Sequence, residues 1–228
     1  MHHIKTHHRS FGLSVAGLLL ASVSASRAAV SVGDVIGIDF GATAPTVANW
    51  NQVSSSSLTI GDLQRLSDGA FTGVGVSVTV SASNGDFVNN IAPGAGLGST
   101  DSSIFNDHLA ANDLGGPDTI TVTYTGLDDA LSYILTGGMA RGGNTNAFEQ
   151  TYSVGGVDYD YTGTTGVDAY AEYTGLSSSG GELSFTVSDF SDSDLASISQ
   201  MTLTVVPEPS AALLLGLGGL ALLRRRRV

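Results

Sequence analysis

The sequence predicts an all-β chain whose body is a β-sandwich. Three observations carry that prediction. Apolar and polar residues alternate at period two along one short segment after another. Gly, Asn, Asp and Ser clusters separate those segments, within a total of 30 glycines. Only one stretch, SSIFNDHLA, reads as a helical turn. Many short strands with turn signals between them indicate a sandwich or a barrel.

The segments follow in order. VIGIDF opens the body and places Ile36, Ile38 and Phe40 on one face. VGVSVTV aligns Val74, Val76, Val78 and Val80. TITVTYTGL sets Ile120, Val122 and Tyr124 against Thr119, Thr121 and Thr123. LSYIL aligns Leu131, Tyr133 and Leu135. TYSVGGVDYDYTG carries Tyr152 and Val154, a Gly155-Gly156 turn, then Val157, Tyr159 and Tyr161. LSFTV aligns Leu183, Phe185 and Val187, and ISQMTLTVV aligns Met201, Leu203 and Val205. YTGL occurs at Tyr124 and again at Tyr173, which reads as one strand-end device used twice.

Both ends differ from this body. Residues 1–28 read as a secretory signal peptide. Lys5 and Arg9 charge its start, FGLSVAGLLLA is its apolar run, and small residues follow. Cleavage is expected after Ala28, with Ala25 second. His2, His3, His7 and His8 leave with that segment. At the other end, residues 210–223 are uncharged and precede Arg224, Arg225, Arg226 and Arg227. As a helix this run covers roughly 21 Å at 1.5 Å per residue, short of a hydrocarbon core of about 30 Å. Arginine stems snorkel, and the cluster fits a membrane stop under the positive-inside rule.

Charge is segregated as well. The chain has net charge −12, yet residues 29–206 hold 20 of the 21 acids and only Arg65 and Arg141 as cations, a net −18. Such a body repels phosphate backbones, so no nucleic-acid partner is expected. The absence of cysteine excludes disulfides and thiolate metal sites.

The chain end, Val206-Pro207-Glu208-Pro209-Ser210, then the apolar run, then the arginines, resembles the PEP-CTERM sorting tail. That resemblance implies an exported protein recognised at Pro207, Glu208 and Pro209 by exosortase, a membrane-embedded protease-transpeptidase. It also implies a single transmembrane sorting helix within 207–228. The prolines around Glu208 hold an extended step at the membrane edge. The body, 29–206, resembles galactose-binding-like jelly-roll domains through IGIDFGATAPTVANWNQV, TVTYTGLDDALSYILTGG and LSFTVSDF followed by ISQMTLTVV. This resemblance implies a fold more than a function.

Catalytic signatures are sparse. After signal removal His108 is the one histidine, beside Asp107, and it reads as a surface residue on the short helical turn. There is no GxSxG elbow, P-loop, zinc spacing or dinucleotide fingerprint. No enzymatic activity and no obligate cofactor are expected. Calcium is the candidate ion, because Asp158 and Asp160, Asp192 and Asp194, and Asp128 and Asp129 cluster oxygens near turns; the alternative is solvated turn acids. Trp50, Tyr159 and Tyr161 are candidate sugar-stacking residues, with Tyr170 and Tyr173 nearby. The alternative there is that Trp50 plugs the end of the sandwich and the tyrosines pack in the core.

The sequence therefore reads as an exported, membrane-anchored and then processed cell-surface or extracellular-matrix protein, associated with exopolysaccharide or biofilm. Its partners would be the secretion machinery with signal peptidase, an exosortase-type enzyme, the membrane and polysaccharide. A carbohydrate-binding module is the alternative, and a secreted hydrolase the third reading.

Overall fold

The computed structural model describes residues 29–42, 44–81, 85–89, 107–111, 118–139, 148–163, 169–189 and 196–208. The proposed signal peptide and tail helix lie outside these residues. The described chain is all strand, turn and loop. Its strands are β1 (Val35–Phe40), β2 (Asn51–Val53), β3 (Leu58–Ile60), β4 (Gly75–Val80), β5 (Gly85–Asn89), β6 (Asp107–Ala111) and β7 (Thr119–Thr125). They continue as β8 (Ser132–Met139), β9 (Phe148–Val154), β10 (Val157–Gly163), β11 (Ala169–Ser177), β12 (Leu183–Asp189), β13 (Ala196–Ile198) and β14 (Gln200–Val206).

Period-two alternation gives each long strand an apolar face, and two such faces meet. One sheet runs β11-β8-β14-β1-β2 and the other β10-β9-β12-β7-β4-β3. Ile36, Ile38, Phe40, Tyr133, Leu135, Met201, Leu203 and Val205 face inward from the first. Val76, Val78, Ile120, Val122, Tyr124, Tyr152, Phe185 and Val187 face them from the second. Burying each such side chain is worth about 1.5–3 kcal/mol. The sheets touch where the Tyr173 ring meets Phe185 edge-on at 6.3 Å. There the Tyr173 hydroxyl also donates to the Tyr152 carbonyl at 2.6 Å. Outward positions carry hydroxyls in register: Ser77 opposes Thr123, which opposes Ser184.

A small third sheet, β13-β6-β5, corrects the sequence reading. Asp107–Ala111 is a strand, not part of a helical turn. It pairs with β5 on one side and β13 on the other, and Leu109 and Ala111 are fully buried. Pairing on both sides satisfies the backbone and overrides a local helical preference. His108 sits on this strand and is 2% exposed, so it is not a surface residue. The YTGL echo also divides. Gly126 (φ +75°) follows the end of β7, whereas Gly175 (φ +68°) makes a bulge inside β11.

Candidate functional site

Two places on this frame carry the candidate residues. The first is the exit of the tail. β14 lies inside its sheet, between β8 and β1. The Val205 N–H donates to the Asp34 carbonyl and its carbonyl accepts from the Gly33 N–H, both at 2.9 Å. Val205 also pairs with Tyr133 and Val206 with Ser132. Pro207 is exposed and Glu208 half-buried immediately afterwards. Proline lacks the N–H that would extend the ladder, so the strand stops where the Pro-Glu-Pro step starts. Pro209 and Arg224, Arg225, Arg226 and Arg227 lie outside the described residues.

Three turns surround this exit. In one, Asp34 accepts from the Ser31 N–H at 2.8 Å and from Arg65 Nη1 at 3.0 Å. Arg65 Nε meanwhile donates to Asp68 at 2.8 Å. In the second, the Asp128 carboxylate accepts from the Ala130 N–H at 2.9 Å. The third is tied to the second, because Asp129 accepts from the Ser178 hydroxyl at 2.5 Å and the Gly181 N–H at 2.9 Å. Those bonds, the Ser178 hydroxyl first, hold the Asp129 carboxyl below the ordinary carboxylate range. Asp128 and Asp129 thus bind backbone and hydroxyl donors in turns.

The second place is the free edge formed by β10. Tight turning at Gly155 and Gly156, both with positive φ, returns β9 into β10. Val157 pairs with Val154 and Tyr159 with Tyr152, so both share the inner face of the sheet. Yet Val157 is 61% and Tyr159 48% exposed, while Tyr152 and Val154 are buried. Among the described residues β10 is an edge strand, and its inner face is only partly covered. Core packing of the tyrosines holds for Tyr124, Tyr133, Tyr152 and Tyr173 and fails for Tyr159. The side chains of Tyr161 and Tyr170 lie outside the described set.

Trp50 lies on the first sheet, against β1. Its ring lies over Gly37 on the outer face of β1, so close that a Cβ there would sit 2.9 Å from the ring. Asn49 turns the chain with φ +68°. Asn51 donates to the carbonyls of Gly37 and Gln64 at 2.9 and 2.8 Å. Trp50 is therefore half-buried against a sheet face. Its ring packs on a strand of the sheet rather than in the core between the sheets.

Asp158 and Asp160 point to the outer face of β10 and are exposed. Asp160 accepts from the Thr151 hydroxyl at 2.9 Å. Asp192 and Asp194 lie outside the described residues. Among the described residues, no group of three or more His, Asp or Glu is placed to hold a metal ion. His108 and Asp39 are both withdrawn from solvent. The sequence reading did not single out Val157 as exposed. Its signal was the Gly-Gly turn, which makes the next strand a hairpin return with a free edge.

Comparison with known proteins assigns the tail. Residues 205–227 match the PEP-CTERM protein-sorting motif. The chain carries that motif, which implies export, membrane anchoring before processing, and an exosortase-type processing enzyme. No helix among the described residues is long and apolar enough to cross a membrane. No curated protein matches the chain. Among solved structures, the body is similar to a family 35 carbohydrate-binding module from Clostridium thermocellum. Identity is 11% and the TM-score 0.34, over 55% of this chain and 90% of that one. It is also similar to the CBM35 from Cellvibrio japonicus Abf62, at 18% identity and TM-score 0.32, over 58% and 98%. For an exo-β-1,3-galactanase from Phanerochaete chrysosporium the values are 18% and 0.31, over 62% of this chain and 36% of that one. This chain thus spans about a third of the galactanase's length.

Proposed function

We propose that this protein is an exported, non-catalytic β-sandwich displayed at the cell surface or in the exopolysaccharide matrix. Its tail first holds it at the membrane and is then processed. One observation supports the reading above the others: the sorting motif starts on the last strand of the body, so the whole sandwich is the cargo of the tail. Intact-mass analysis of the protein released by its native host tests it. The expected mass lacks residues 210–228 or a closely similar segment. Released protein that retains a full-length C-terminus would overturn it.

A second reading rests on Tyr159. A half-exposed ring on a sheet edge, next to exposed Val157, offers a flat face to the apolar side of a sugar ring. The protein would then hold polysaccharide of the matrix into which it is released. Tyr159→Ala should lower retention on the host's exopolysaccharide while leaving the melting temperature unchanged. Equal retention of both proteins would remove this reading and leave the display role standing.

A further inference from the structure

The sorting motif and the fold share residues. The match starts at Val205, and Val205 and Val206 are the last two residues of β14. Val205 has no exposed surface. Its N–H and carbonyl are both engaged by the 33–34 turn, and β8 lies along its other side. Among the described residues, the ladder ends at Val206, and Pro207 is exposed. Three residues separate Val206 from residue 210, and fully extended they span about 10 Å. That is no more than the width of one α-helix with its side chains. Any enzyme that closes around the Pro-Glu-Pro step meets the end of the sandwich there. It meets the Ser31–Asp34, Asp128–Leu131 and Ser179–Glu182 turns.

Enzymes that cut or transfer peptide chains commonly take them extended, with main-chain N–H and carbonyl groups free to pair with the enzyme, as in strand addition to a sheet edge. Val205 offers neither group while β14 is closed. We propose that the exosortase-type enzyme acts on a state in which Val205 and Val206 have peeled away from β1 and β8. Local opening of the end of β14 then sets the rate of tail processing. The proposal rests on the sorting reading above. The opening is local: it releases one core valine, one half-buried valine and the 31–34 turn, and leaves Met201 and Leu203 in place. The fold thereby meters its own release. A sandwich closed to the last residue stays anchored longer than one with a loose end.

The test compares rates of tail loss in the native host by pulse-chase and intact mass. A Gly-Ser-Gly-Ser spacer between Val206 and Pro207 frees the Pro-Glu-Pro step without touching the core. It should speed processing by roughly tenfold, because cleavage no longer waits for a buried valine to be exposed. Asp34→Ala leaves the motif intact and removes both the Ser31 and the Arg65 contacts of the 31–34 turn. It should also speed processing. The same spacer placed at the Gly155-Gly156 turn should leave the rate as it was. Unchanged or slower processing with the Val206–Pro207 spacer would overturn the gating proposal and leave the sorting reading intact. Absence of processing in every variant, the parent included, would overturn both.

Discussion

Three core tyrosines differ mainly in where their hydroxyls end. The Tyr133 hydroxyl donates to the Asp128 carbonyl and accepts from the Asp128 N–H, both at 2.9 Å. Tyr173 donates to the Tyr152 carbonyl at 2.6 Å. The Tyr124 hydroxyl is buried with no hydrogen-bond partner among the described residues, and burial raises its pKa above the ordinary tyrosine value. A buried, unmatched hydroxyl costs about 1–3 kcal/mol, whereas deleting one partner of a made bond costs about 1–2 kcal/mol. Urea unfolding should therefore show Tyr124→Phe as neutral or stabilising and Tyr133→Phe as destabilising by about 1–2 kcal/mol. The reverse order would contradict these hydroxyl assignments. Tyr173 adds a pH dependence. Burial first, then the charges of Asp158 and Asp160, push it up to about 12 from an ordinary 10. The folded state favours the neutral phenol, so its contribution is whole below pH 10 and is lost as pH rises through 12. Melting temperatures should fall over that window, and less steeply in Tyr173→Phe. None of this was legible in the sequence, where Tyr124 and Tyr133 occupy inward positions of alternating strands and Tyr173 stands in the second YTGL. The partner of the Tyr133 hydroxyl is set by the turn before its strand, and that of Tyr173 by a strand of the other sheet.

Long strands were legible because alternation states their burial directly. TITVTYT keeps Ile120, Val122 and Tyr124 in the core and Thr121 and Thr123 outside, in register with Thr186 and Ser184. The Thr123 and Ser184 hydroxyls bond at 2.9 Å. Three-residue strands such as β2, β3 and β13 are too short to show a period, and partners distant in sequence define them. Glycines misled in a different way. The LSYIL alternation stops at Gly137-Gly138, yet β8 runs on to Met139. Gly137 is there because the Phe185 ring needs the room: a Cβ at 137 would lie 2.8 Å from Phe185 Cζ. That ring is fully buried beside Tyr152 and Tyr173 and has nowhere to turn. Gly137→Ala should destabilise the sandwich by about 1–3 kcal/mol through overpacking. Phe185→Leu in the same chain should recover part of that loss, measured as a coupling in a double-mutant cycle. Simple additivity would show that the two positions do not compete for space. The edge strand β10 shows the same limit from the other side. Its alternation puts Tyr159 on the inner face, but its place at the edge of the strand order leaves the ring half exposed.

At the scale of the whole molecule, the sequence states the charge and the structure shows how little of it is compensated. Arg65 is the one cation among the described residues, and it is shared between Asp34 and Asp68. Other acids bind donors without neutralising their charge, as Asp129 does with Ser178 and Gly181. Residues 29–206 keep a net −18 on a single sandwich. Mutual repulsion at that density opposes the compact state, and it acts over the distance that salt leaves unscreened. That distance falls from about 30 Å at 0.01 M to about 10 Å at 0.1 M ionic strength. Charges on opposite sides of the body feel each other at the first value and are largely isolated at the second. The melting temperature of the released protein should therefore climb steeply with sodium chloride over this range and flatten above it. Arg65→Gln raises the excess charge and also unties the 65–68 loop from the start of β1, so it should melt lower at every salt level. Calcium and magnesium separate screening from binding. At matched ionic strength they should act alike if only the field of the body matters. A larger rise with calcium would show that the folded body holds a selective calcium site. A melting temperature independent of salt from 0.01 to 0.1 M would mean that the acids are too widely spaced for their sum to act on the fold.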